Sequence, residues 1–188
     1  LLAFYGLIAF SGQGADLALL TDSYFHAILL FSIKQALLST LLATLLAWPI
    51  ARALYYLPKL YFKPFFLSLT LLCFVLPTLV LITGFVSLLG RSGYLSPLLG
   101  EQWNLYGLQG IILAHLYLNL PFAIRAFYGQ LQNIPNTSWI LARQLKFSAW
   151  QKLTIIEWPA LSANFSLIFG FIFILCFNSF AVVLALGG

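Results

Sequence analysis

The chain is 188 residues long, 62% hydrophobic and only 7% charged, with a formal net charge of +5. A water-soluble domain carries about 25% charged residues, so this chain lacks the polar surface to face water on all sides. Its mean hydropathy of +1.00 places it among integral membrane proteins, and apolar runs that recur to the last residue exclude a cleavable leader as the whole explanation.

A helix needs about 20 apolar residues to cross a bilayer. In chain order, residues 1–10 read as the tail of a partial span, followed by expected spans at 25–51, 65–89, 107–126 and 161–186. The first residue is Leu1, methionine is absent, and the chain stops at Gly187–Gly188 directly after an apolar run. Together these lead to the expectation of a fragment of a longer protein. The runs are continuously apolar rather than alternating, which argues against a transmembrane barrel. The expected fold is therefore an all-α, polytopic transmembrane helical bundle.

Charge in the connecting loops sets the orientation. Arg52, Lys59 and Lys63 follow the 25–51 span, and Arg125, at the end of the 107–126 span, is followed by Arg143, Lys146 and Lys152. The alternate loops hold Asp16 and Asp22, or Arg91 and Glu101. Bases concentrate in cytoplasmic loops, so the segment 129–160 is expected in the cytoplasm. The net charge is then topological, and a nucleic-acid partner is not expected.

That segment reads as two short helices. Pro135, Asn136 and Thr137 form a helix start, with Asn136 or Thr137 as N-cap. Trp139 and Ala142, and Leu141 and Leu145, stand at helical spacing. Lys146-Phe147-Ser148 interrupts, and Ser148 can cap a second helix through Ile156. Pro159 falls at the start of the last span, where its missing N–H is harmless. Such a hairpin either lies on membrane lipid through Trp and Lys or offers a soluble partner an apolar knob with a polar rim.

Inside the spans, Lys34, Asn119, Asn178 and Ser179 are the polar candidates for a translocation path. Against that role, Lys34 can snorkel, and the others can form interhelical hydrogen bonds. Pro49, Pro77 and Pro121 are either tolerated kinks or breaks that line a cavity. Cys73 and Cys176 read as packing residues. His26 and His115 have no ligand-spaced partner, so no metal site is expected. No phosphate-binding G-x-x-x-x-G-K-S/T motif and no nucleophile–base pair occur. The chain is not expected to be an enzyme or to hold a cofactor.

The segment 140–159 resembles the cytoplasmic loop of the integral subunits of bacterial type I ABC importers, whose pattern is E-A-A, three residues, G, nine residues, I, one residue, L-P. The match lies at Ala142, Ile156 and Pro159. Departures lie at Ile140, Leu141, Lys146 and Trp158. The strings LLSTLLATLLAWPIARAL, FVLPTLVLITGFVSLLGRSG and YGLQGIILAHLYLNLPFAIRAFYGQLQNIP are similar to the same family. DSYFHAILLFSIKQALLST, NLPFAIR, IEWPAL and LCFNSFAVVLALGG are similar to its thiamine permeases, with ferric-iron permeases the alternative. An ATP-independent carrier or membrane scaffold is the alternative from another class.

The resemblance implies an inner-membrane permease with a second half in tandem or as a second subunit. It implies a periplasmic binding protein and a cytoplasmic ATPase dimer that holds ATP–Mg. Docking to the ATPase would run through Leu141, Ala142, Leu145, Lys146, Phe147 and Trp150. Glycine is usual in the family where Lys146 stands, so the turn there is expected to be strained or differently shaped.

Overall fold

The computed structural model describes residues 22–57, 61–100 and 103–187. The expected partial span at 1–10 lies outside them. The chain falls into two units, Leu1–Lys34 and Gln35–Gly188. In the first, the Tyr24 N–H donates to Asp22 Oδ1 at 2.9 Å, so the aspartate satisfies one of the free amides at the helix start. Lys34 is exposed there.

The elements are α1 (Ser23–Tyr56), α2 (Lys63–Val75), α3 (Thr78–Leu89), α4 (Ser96–Leu99), α5 (Leu108–Gln132), α6 (Asn136–Gln144), α7 (Ala149–Phe177) and α8 (Phe180–Leu186). Among the described residues, α1, α5 and α7 are long and apolar enough to cross a membrane. The expected span at 65–89 is instead two helices that meet at Leu76-Pro77. Proline lacks the N–H that would continue the ladder, and its ring drives the preceding residue out of the helical region. Pro49 and Pro121, by contrast, sit inside unbroken helices.

Within the second unit, α1 turns a stripe of small residues inward. Ala36, Ser39, Thr40, Ala43, Thr44, Ala47 and Ala51 are all buried. Their spacing keeps them on one face, and their size lets helix backbones approach closely, as membrane helix pairs require. The hydroxyls of Thr40 and Thr44 donate to carbonyls of their own helix, at 2.7 Å to Ala36 and 2.9 Å to Thr40, so their burial leaves no donor unpaired. This stripe shares one core with Ala123, Ile124, Phe127 and Leu131 of α5 and Leu161, Ile168 and Ile172 of α7.

A second core joins α3, α5 and α8 through Leu81, Ile82, Ile111, Ala114, Val182 and Leu186. Gly110 allows the loop before α5 to lie against it. A Cβ there would collide with the Leu105 carbonyl oxygen, and Leu105 is itself buried. Gly110→Ala is expected to cost about 2–3 kcal/mol as an overpacking change, read as a lower melting temperature of the purified protein.

Candidate functional site

The first candidate region is the segment from α6 into α7. The helix α6 ends in a Schellman arrangement. The Phe147 N–H reaches the Ala142 carbonyl at 2.9 Å, and the Lys146 N–H reaches the Arg143 carbonyl at 3.1 Å. This closure needs a left-handed residue between them, and Lys146 adopts φ 52°, the one positive φ on a non-glycine residue among the described residues. The expected strain therefore sits at this residue. A lysine there costs about 1–2 kcal/mol that glycine avoids. Part of that gain is offset by the greater freedom of glycine in the unfolded chain. Lys146→Gly is expected to stabilise the protein by about 0.5–1 kcal/mol, measured by thermal unfolding.

Ser148 then caps the next helix, as its position predicts. Its Oγ accepts the Gln151 N–H at 3.3 Å, and its own N–H donates to Gln151 Oε1 at 2.8 Å, a reciprocal capping box. The second helix does not stop at Ile156. It widens into a π turn over Lys152–Glu157 and runs on unbroken to Phe177. Pro159 supplies a physical reason: it cannot donate, and its ring crowds the carbonyl four residues earlier, which a wider turn relieves. Proline 159 thus lies within a continuous helix rather than at the start of a separate one.

The π turn aims Glu157 at α1. The Glu157 carboxylate is fully buried. Its Oε2 accepts from Arg52 Nε at 2.7 Å, and its Oε1 accepts from Arg52 Nη2 at 3.3 Å and from the Tyr56 hydroxyl at 2.6 Å. Such two-point, charge-assisted contact is the strong form of the hydrogen bond. Trp139 of α6 packs against Tyr55 and Tyr56, with ring centroids 5.8 and 6.1 Å apart. Both halves of the hairpin are therefore fastened to the last turns of α1. Sequence reasoning missed this joint. Its one signal was Glu157, an isolated acid beside a span.

Of the expected docking residues, Leu141, Leu145 and Trp150 are exposed, at 54%, 58% and 70%. Lys146 is exposed and Phe147 half-buried. Ala142 is turned inward and buried, so it supports α6 rather than presenting a surface. Trp139 shares that inward face.

The second candidate region is a cavity of about 550 Å³ lined by Leu76, Thr78, His115, Asn119, Asn178 and Ser179 among others. Three of the four expected path residues, Asn119, Asn178 and Ser179, meet there. Both helix breaks, at Leu76-Pro77 and at Asn178-Ser179, open onto it, as discontinuous membrane helices do at solute sites. His115, which the sequence left without a role, ties three elements together. Its Nδ1 lies 3.1 Å from Ser39 Oγ of α1, and its Nε2 is hydrogen-bonded to Ser179 Oγ beyond the end of α7. The Ser179 hydroxyl donates to the Cys176 carbonyl at 2.8 Å. It must then accept from Nε2–H, which leaves Nδ1 to accept from Ser39.

The thiamine transport system permease proteins of Haemophilus influenzae and Escherichia coli are each 42% identical to the chain across 100% of it. That of Brucella abortus is 38% identical across 94%. Along its whole length the chain is similar to these transport-system permeases. Its described residues are largely helical, with three helices long and apolar enough to cross a membrane. It spans only 37%, 36% and 34% of the Haemophilus, Escherichia and Brucella proteins. No protein-family model matches it. These relatives do not favour the ferric-iron or carrier alternatives.

Proposed function

We propose that the chain forms part of the membrane permease of an ATP-driven importer that carries thiamine or its phosphates across the inner membrane. The observation that carries this reading is the 42% identity, along the whole chain, to permeases named for thiamine transport. ATP–Mg would be bound and hydrolysed by a cytoplasmic ATPase dimer, and a periplasmic binding protein would deliver the solute. A second permease half, in tandem or as a second subunit, would complete the path.

In this reading, segment 129–160 is the cytoplasmic coupling loop. Leu141, Leu145 and Trp150 give it an exposed apolar centre, with Lys146 and Arg143 around it. Force from the ATPase would pass through Trp139 and Glu157 to α1, because the hairpin is bonded there. The solute would pass by Asn119, Asn178 and Ser179 at the helix breaks. The test is uptake of labelled thiamine at nanomolar concentration in cells that have no second thiamine system. Deletion of the gene is expected to abolish ATP-dependent uptake; unchanged uptake would remove thiamine as the substrate.

A further inference from the structure

The cavity at the two helix breaks holds an arrangement of oxygen dipoles that neither the family likeness nor the sequence pattern assigns. Asn119 is 4% exposed. Its Nδ2 is committed, at 3.0 Å to the His115 carbonyl and 3.4 Å to Cys176 Sγ. Its carbonyl Oδ1 is thus the group left to face the cavity. The end of α7 adds to this. In a continuous helix the Leu175 carbonyl would take the Ser179 N–H, but that N–H goes to Cys176 instead, at 3.5 Å. The Leu175 carbonyl loses its helical donor, and Leu175 lines the cavity. The C-terminal end of a helix carries partial negative charge. None of the residues lining the cavity is Asp, Glu, Lys or Arg, and the one histidine, His115, has both ring nitrogens engaged with Ser39 and Ser179.

We infer that this cavity is a transit site for an organic cation that carries its own hydrogen-bond donors, held by Asn119 Oδ1 and the freed Leu175 carbonyl at the end of α7 with no carboxylate. The inference rests on the importer reading above and names how that path would recognise its solute. Dipoles suit transit. A buried carboxylate would grip a cation strongly in a low-dielectric site, whereas passage requires binding weak enough to release. Asn178, exposed at the same break, offers a second amide at the mouth.

The test is equilibrium binding of radiolabelled thiamine to the purified full-length permease with its ATPase, without the binding protein. Competitors are unlabelled thiamine and an uncharged isostere with carbon in place of the ring cation. Saturable binding is expected, with thiamine displacing the label about tenfold better than the isostere. Asn119→Leu is expected to remove the binding. Asn178→Asp, at an exposed position that does not threaten folding, is expected to widen the preference for the cation. The inference is overturned by absence of saturable binding, by equal displacement by the isostere, or by an unchanged preference in Asn178→Asp. The importer reading fails by a separate result, the loss of no uptake on gene deletion.

Discussion

Arg52→Ala is expected to lower the unfolding free energy by about 3 kcal/mol, the low end of the range for stranding one partner of a buried ion pair. The low end applies because the Arg52 side chain remains 34% exposed while Glu157 is fully buried. Without the guanidinium, the Glu157 carboxylate keeps only the Tyr56 hydroxyl, 2.6 Å away. Glu157→Gln is the milder change, since an amide oxygen can still accept from Tyr56. Its expected cost is about 1.5–2 kcal/mol, the low end of the range for a hydrogen bond to a charged group. The double variant should cost less than the sum of the two, because each removes the same interaction. Thermal or denaturant unfolding of the purified protein reads all three. Additive costs would mean the pair contributes nothing specific to the joint.

Leu145→Glu is expected to abolish coupling between ATP hydrolysis and uptake while the protein still inserts in the membrane. Leu145 is 58% exposed at the C-cap of a short helix whose inward face is already occupied by Trp139 and buried Ala142. The change therefore leaves the fold of α6 intact and acts on the outer surface. Docking would bury an unpaired carboxylate in an apolar groove, a loss of about 2–4 kcal/mol for a central anchor. Thiamine uptake and stimulated ATPase activity, measured at matched membrane level, check it. Retained uptake would remove Leu145 from the docking surface.

What the sequence made legible was local. Ser148 and Gln151 stand three apart, and the capping box they form follows from that spacing alone. Lys146 was suspect because glycine usually fills the position, and its φ of 52° gives the reason. The break at Asn178-Ser179 was not legible, since the expected span 161–186 ran through it and the helix ends at Phe177.

What stayed hidden depended on which helix faces which. Arg52 and Glu157 are 105 residues apart, and neither periodicity nor charge pattern encodes the register that joins them. The small-residue stripe from Ala36 to Ala51 was readable as a spacing, but its partner helices were not. Three prolines looked alike in sequence, yet only Pro77 interrupts its span. Pro49 and Pro121 lie in helices that continue on both sides, where neighbouring segments and local adjustments can satisfy the freed carbonyls. Ala142 was read as part of one apolar face with Leu141. The two are adjacent, and adjacent helical positions point about 100° apart.

The most direct measurement is accumulation of radiolabelled thiamine in vesicles containing the purified full-length permease, its ATPase and its binding protein. The account predicts accumulation only when ATP is present on the ATPase side and binding protein on the other. Accumulation that proceeds without ATP, or none under any condition with active ATPase, would contradict it.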